Sequence, residues 1–330
     1  ITGGNDTASL TETETTLTTN GSITVTDPDI TDTVTASVAS VALSGTFTSS
    51  GSTLPSSLSA SSYQALKNML VLSNPNAGTA MTANPADGGS TFDWTFTSGS
   101  SGDSAFDFLR DGETLVLTYT LNLTDNSGDA ATQTSTTTVT ITITGTNDSP
   151  VISNGADTAA LSETNASITT SGAMTVTDID LSDTVTATVD AVAISGGTYT
   201  TRSGYNRTND IPLTDADLKA MLGLSVSSGT TSTIPANPPS GSDFTWTFTS
   251  GASGPGGAGG NKGFEFLASG ESIQLTYTVL VQDNAPTRSG QKPKTDSSTV
   301  VVTITGTNDT PDITVVDVTG AVSEDSATTA

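Results

Sequence analysis

The stretch "FDFLRDGETLVLTYTLNLTDN", residues 106–126, decides the fold. From Leu115 to Leu123 the large apolar residues fall on every second position, with Thr, Val and Asn between them. A period of two marks a β-strand with one face buried. Gly112 and Asn126 bound the run, as turn residues should. The whole stretch returns at 264–284 as "FEFLASGESIQLTYTVLVQDN", with Ile273, Leu275, Tyr277, Val279 and Val281 in the alternating places. A strand pattern present twice in register is the mark of a repeat.

Other segments recur around it. "FDWTFTSG" (92–99) returns as "FTWTFTSG" (244–251), and "ITITGTNDSP" (141–150) as "TITGTNDTP" (303–311). A worn version of the latter, "ITGGND", opens the chain. The division expected is a first repeat at 1–148, a second at 149–309, and a linker with the start of a third at 310–330. Between the anchors lie short alternating strands separated by Gly, Asn, Asp and Pro, the pattern of a β-sandwich. The fold class is therefore all-β: two tandem immunoglobulin-like or cadherin-like sandwiches. "SYQALKNMLVLS" and "TDADLKAMLGLSV" give each repeat one short helix, with Thr214 or Asp215 capping the second. Trp94, Trp246, Phe92, Phe244, Phe108, Phe266, Tyr119 and Tyr277 fall in alternating strand contexts and read as core, not as a sugar platform. "SGASGPGGAGGNKG" (250–263) reads as a flexible surface loop, since no Lys-Ser/Thr ending makes it a phosphate cradle.

Composition narrows the function. Nine basic residues against 34 acidic ones leave a net charge of −25. Such a field repels nucleic acids and anionic membrane surfaces, and works against compactness unless cations neutralise it. There is no Cys and no His, which removes disulfides, thiolate chemistry, the commonest general base and the usual zinc ligands. A carboxylate pair or a Ser–Lys dyad is what remains for catalysis. Acids repeating once per unit at strand ends suit a structural role better, so no enzyme is expected. No apolar run approaches the ~20 residues of a membrane span. No signal-peptide pattern opens the chain, which is expected to be an interior or processed piece of something larger.

The acids keep registers. "TVTDPDITDTVTASV" (24–38) carries Asp27, Asp29 and Asp32, and "TVTDIDLSDTVTATV" (175–189) carries Asp178, Asp180 and Asp183. In an extended strand, residues two apart share a face at roughly 6.6 Å, close enough to converge on one cation. Glu12 precedes Asp27 by the same interval as Glu163 precedes Asp178, and Asp148 precedes Glu163 as Asp309 precedes Glu324. Glu113 and Asp125 are spaced like Glu271 and Asp283. A single Asp beside a strand is most often a turn former. A whole set kept in register against such a negative background points to bound divalent cations. Ca2+ suits them, because it accepts many oxygen ligands in irregular geometry.

This layout resembles the cadherin-like and VCBS-type tandem repeats of giant bacterial RTX-type surface adhesins, over essentially the whole chain. The carriers are a Glu near the repeat start, Asp-x-Asp after an early strand, a Glu before a Tyr-bearing strand that ends in Asp, and a final strand running into Asn-Asp-x-Pro. The resemblance implies calcium at the junction between consecutive domains. Glu12, Glu113, Asn147, Asp148, Asp178, Asp180 and Asp283 would form the complete junction. Asn5, Asp6, Asp27, Asp29 and Asp125 would form an upstream half-site, and Glu163, Glu271, Asn308 and Asp309 a downstream one. Asp32, Asp183, Asn126 and Asn284 stay open between ligation and turn-shaping. The family's linker usually begins with a further Asp, where Gly145 and Gly306 stand here. The function implied is a calcium-rigidified extender of an extracellular adhesin on a bacterial surface, in cell attachment or biofilm. Its partners are neighbouring repeats. The alternative is a subunit of a homopolymeric filament or S-layer, in which "ITGGND" and "VSEDSATTA" complete neighbouring subunits by strand exchange.

Overall fold

The computed structural model describes residues 2–3, 5–49, 63–73, 81–82, 89–99, 105–127, 134–164, 166–226, 233–235, 241–250, 263–285, 292–309 and 320. The segments expected as a flexible loop (250–263) and as the start of a third repeat (310–330) fall almost wholly outside them. The alternating runs are strands. In chain order these are β1 (Thr2–Gly3), β2 (Asp6–Thr11), β3 (Thr18–Thr26), β4 (Thr33–Ser44), β5 (Leu70–Ser73), β6 (Met81–Thr82), β7 (Ser90–Thr97), β8 (Thr114–Asp125) and β9 (Thr134–Thr144). They build two sheets, β1-β3-β7-β5 and β2-β9-β8-β4-β6. All pairs are antiparallel except β2 with β9.

The second half repeats the design with β10 (Val151–Ser153), β11 (Asp157–Ser162), β12 (Thr169–Thr177), β13 (Thr184–Gly196), β14 (Leu222–Val226), β15 (Thr233–Pro235), β16 (Ser242–Thr249), β17 (Ser272–Asp283) and β18 (Thr295–Thr305). Its sheets are β10-β12-β16-β14 and β11-β18-β17-β13-β15, again with one parallel pair, β11 with β18. The fold is an all-β pair of two-sheet sandwiches, each with its own core.

The period-two reading holds at side-chain level. Leu115, Leu117, Tyr119, Leu121 and Leu123 of β8 are all buried, facing Phe92, Trp94 and Phe96 of β7 in the same core. Trp246 and Tyr277 sit in the matching places of the second core. Each Tyr also anchors a helix. The hydroxyls of Tyr119 and Tyr277 donate to the carbonyls of Leu66 and Leu218, both at 2.8 Å. Single-turn helices α1 (Thr46–Ser49) and α3 (Arg207–Asp210) accompany the expected helices α2 (Tyr63–Asn68) and α4 (Asp215–Ala220). The Tyr bonds fall on carbonyls in the last turns of α2 and α4 that also accept the amides of Met69 and Met221, both at 3.2 Å. Thr214 caps α4 in a capping box with Asp217.

The opening segment departs from expectation. "ITGGND" is no linker remnant: Thr2 and Gly3 pair with β3 as Val151–Ser153 pair with β12, and Asp6 starts β2 as Asp157 starts β11. Asp6 accepts from the Trp94 indole Nε1 at 2.9 Å, and Asp157 from that of Trp246 at 2.9 Å. Those two acids satisfy buried donors.

Gly145 and Gly306 stand where the resemblance would place a further Asp, and packing explains them. A Cβ on Gly145 would lie 2.0 Å from the Leu109 carbonyl oxygen, and one on Gly306 would lie 2.4 Å from that of Leu267. The linker's first residue is pressed against the Phe-x-Phe-Leu turn, so a side chain has no room there. Gly145→Ala should lower the stability of the first sandwich by about 1–3 kcal/mol through overpacking. Gly223→Ala, whose Cβ would meet its nearest atom at 3.9 Å, should leave the melting curve nearly unchanged.

Candidate metal centre

Strand direction places the acids. β3 and β8 each start at one end of the first sandwich, near Glu12 and Glu113, and finish at the other, at Asp27 and Asp125. The same holds for Glu163 and Glu271 against Asp178 and Asp283 in the second. Each sandwich thus carries one acidic set per end.

The Asp-x-Asp pairs do not lie on extended strand, as the sequence led one to expect. β3 ends at Thr26 and β12 at Thr177, and a turn follows each. Asp27 Oδ1 accepts the amide of Asp29 at 3.0 Å, and the carbonyl of Asp29 accepts the amide of Asp32 at 3.0 Å. Asp178, Asp180 and Asp183 repeat this at 3.1 and 3.0 Å. Asp side chains favour such local bonds to the backbone. The turn brings the third acid inward: one carboxylate oxygen from each of Asp178, Asp183 and Asp283 lie within 4.8 Å of one another, all three residues buried.

This turn docks on the first sandwich. The amide of Leu181 donates to the Phe108 carbonyl at 3.1 Å, and its side chain packs against the first core. Linker residues thread between. Asn147 Nδ2 donates to Asp283 Oδ2 at 3.0 Å, and the amide of Asp148 donates to Asp180 Oδ2 at 2.8 Å. Glu12 Oε2 accepts from the amide and hydroxyl of Thr146 at 3.2 and 2.6 Å. The Arg110 guanidinium lies 3.6 Å from Glu113 and 3.5 Å from Asp183, spanning the two sandwiches. Alongside runs a cleft of about 530 Å³ lined by Glu14, Asp107, Asp148, Asp178, Ile179 and Lys294.

Of the seven residues expected at this junction, the structure buries all: Glu12, Glu113, Asn147, Asp148, Asp178, Asp180 and Asp283. The remainder sit apart, at the two outer ends. Asp27 and Asp125 are buried and Asp29 is exposed at one. Glu163 is buried, Glu271 and Asp309 are half-buried and Asn308 is exposed at the other. Asn5 and Asp6 do not join the upstream set: Asn5 Oδ1 accepts the amide of Thr138 at 3.2 Å, and Asp6 serves Trp94.

Sequence reasoning missed Asp107. It is buried beside Glu12 and Asp148. Its counterpart Glu265 groups with Glu163 and Asp309 within 4.8 Å. The available signal was an acid between the same two Phe residues in both copies, masked because the Phe residues read as core. Asp183, left open between two roles, is buried in the three-carboxylate group.

Electrostatics at the junction are adverse to the bare protein. Burial first, then neighbouring carboxylates, push Asp178 up to about 7 and Asp180 up to about 9, although each also accepts a backbone amide. Burial raises Asp183 to about 6 against the pull of Arg110. Asp107 and Asp148 rise to about 7, through burial and then Glu12 and Glu14. Buried oxygens without a hydrogen-bond partner include Glu12 Oε1, Asp107 Oδ1, Glu113 Oε2, Asn147 Oδ1, Asp148 Oδ2, Asp178 Oδ2, Asp180 Oδ1 and Asp183 Oδ2. Buried polar atoms are ordinarily bonded. Eight unpaired buried oxygens, at a junction where carboxylate oxygens of Asp178, Asp183 and Asp283 lie within 4.8 Å of one another, fit hard cations, and the all-oxygen donor set fits calcium over softer metals.

No family model matches the chain, and no curated protein matches it either. Several solved structures do. Human CDH23 EC21-23 is 15% identical with a TM-score of 0.36, over 91% of this chain and 72% of that one. CfaE, the adhesive subunit of the CFA/I fimbria of enterotoxigenic Escherichia coli, is 11% identical with a TM-score of 0.32, over 66% and 64%. Zebrafish RET cadherin-like domains 1 to 4 are 11% identical with a TM-score of 0.27, over 88% and 42%. At such scores the likeness adds nothing to the geometry above.

Raised carboxyl pKa values set a pH dependence for the chelated protein. The folded state holds protons that the unfolded chain, near pKa 4, has lost. That stabilisation is complete below about pH 4 and disappears as pH climbs through the folded values of about 6 to 9. In chelator the melting temperature should fall between pH 5 and 9. Asp180→Asn should melt higher than wild type at pH 8 and show a shallower slope. Equal slopes in a calorimetric pH series would contradict this assignment.

Proposed function

We propose that the protein is a calcium-rigidified extender segment of an extracellular bacterial adhesin, built from VCBS-type or cadherin-like repeats of the RTX adhesin kind. One observation carries the reading: buried oxygens without a hydrogen-bond partner come from the first sandwich, the linker and the second sandwich at one junction, where carboxylate oxygens of Asp178, Asp183 and Asp283 lie within 4.8 Å of one another. Glu12, Asp107, Glu113 and Asp148 would hold ions on the first side. Asn147, Asp178, Asp180, Asp183 and Asp283 would hold them on the second. Bound calcium supplies positive charge where the chain has concentrated negative charge. The chain's own part is to hold the linker amide of Asp148 on Asp180, seat Leu181 on the first core, and keep water from the oxygens.

Segments 1–148 and 149–309 act in this reading as two repeats whose value lies in length, each contacting mainly its neighbours. Localisation at a bacterial surface follows from the role. Among the described residues, no helix is long and apolar enough to cross a membrane. The filament alternative by strand exchange draws no support from the amino-terminal segment, because β1 and β2 pair within their own sandwich.

Thermal unfolding and small-angle scattering, with calcium and with chelator, test the proposal. Calcium should raise the melting temperature by several degrees and lengthen the particle, and Asp178→Ala/Asp180→Ala should lose both responses. Magnesium at equal concentration should act more weakly, since it demands stricter geometry. Superimposable curves in all conditions would end this reading.

A further inference from the structure

The turn after the third strand of each sandwich occurs in two settings. In the second sandwich Leu181 packs on the first core with its amide on the Phe108 carbonyl, and Asp180 and Asp183 are buried. In the first sandwich the same register puts Ile30 at the place of Leu181, and Ile30 is 63% exposed. Asp29 is exposed there too, and Asp32 is half-buried. The surface that receives the turn also occurs twice. Phe108, Asp107, Glu113, Asn147 and Asp148 are buried at the junction. Their counterparts Phe266, Glu265, Glu271 and Asp309 are half-buried, and Asn308 is exposed. Chemistry is kept at both outer ends, and among the described residues neither has the cover found at the junction. Beneath Ile30, Asp27 is buried and its Oδ2 has no partner.

We propose that the Ile30 turn is a docking surface for the Phe266 end of another repeat of the same build, which a second copy of this chain supplies. Ile30 seats as Leu181 does, and its amide donates to the Phe266 carbonyl. This rests on the calcium reading, because Asp27, Asp29, Asp32 and Asp125 would face Glu163, Glu265, Glu271 and Asp309, and two acidic faces repel without a shared cation. The contact is weaker than the internal junction for two reasons. Ala268 replaces Arg110, so Asp32 gains no guanidinium. No linker raises the local concentration of the partner.

Sedimentation velocity on the full chain tests this, in calcium and in chelator, at protein concentrations up to roughly 1 mM, the effective concentration a short linker supplies. Wild type should form end-to-end oligomers in calcium. Ile30→Asp should weaken association by about tenfold or more while keeping the calcium-induced rise in melting temperature. Val71→Asp, at an exposed position on edge strand β5, should associate as wild type does. Wild type that melts higher in calcium yet stays monomeric overturns the docking proposal and leaves the calcium reading standing. So does association that Ile30→Asp leaves intact. Association that is the same in calcium and in chelator also overturns the docking proposal, because the two acidic faces would then meet without a shared cation.

Discussion

Asp180 has no exposed surface, and its charged neighbours include Asp178, Asp148 and Asp183. Two like charges ~4 Å apart repel by about 4 kcal/mol at the effective dielectric of a protein, and this site gathers several. No close-packed fold tolerates that set fully ionised and unaccompanied. Protons, an arginine and a few amides supply part of the compensation, as the raised carboxyl values and the Arg110 contacts record. Cations supply the rest in the reading proposed here. The geometry of the junction follows from keeping these oxygens together.

Everything around the acids serves their placement. The sheets hold the strand ends in place, because β8 and β17 are paired along their length with antiparallel neighbours. Tyr119 and Tyr277 tie a short helix to each core. Gly145 lets the linker pass against the Phe108 turn so closely that Asn147 and Asp148 reach the second sandwich. Leu181 then closes the apolar side. Hydrophobic contact brings the sandwiches together while the carboxylates oppose it, so the junction is poised to respond to whatever neutralises them.

The two copies act as controls for one another. Asp107 and Glu265, Leu181 and Ile30, Arg110 and Ala268 occupy matching places in different settings. The greater cover of the member at the junction separates what a repeat carries intrinsically from what its neighbour adds. Asp6 and Asp157 make the opposite point. Both serve a Trp, so an acid in register can still be structural.

Local chemistry legible in the chain determined most of the fold. Period-two alternation fixed which faces of β8 and β17 are buried, recurrence fixed two sandwiches, and Thr214 announced the start of a helix. The registers of Glu12, Glu113, Asp178, Asp180 and Asp283 announced a set of ligands. Only tertiary structure decided the rest, because it depends on contacts between residues distant in sequence. An Asp-x-Asp that reads as strand becomes a turn once its own side chain takes the next amide. The opening hexapeptide, similar to a linker, is drawn into its own sheets by pairing with β3 and β9. Asp107 joins the site because two phenylalanines enter the core on either side of it. Whether an aspartate faces water or other buried carboxylates is a property of how two sandwiches meet, and no spacing within one of them records it.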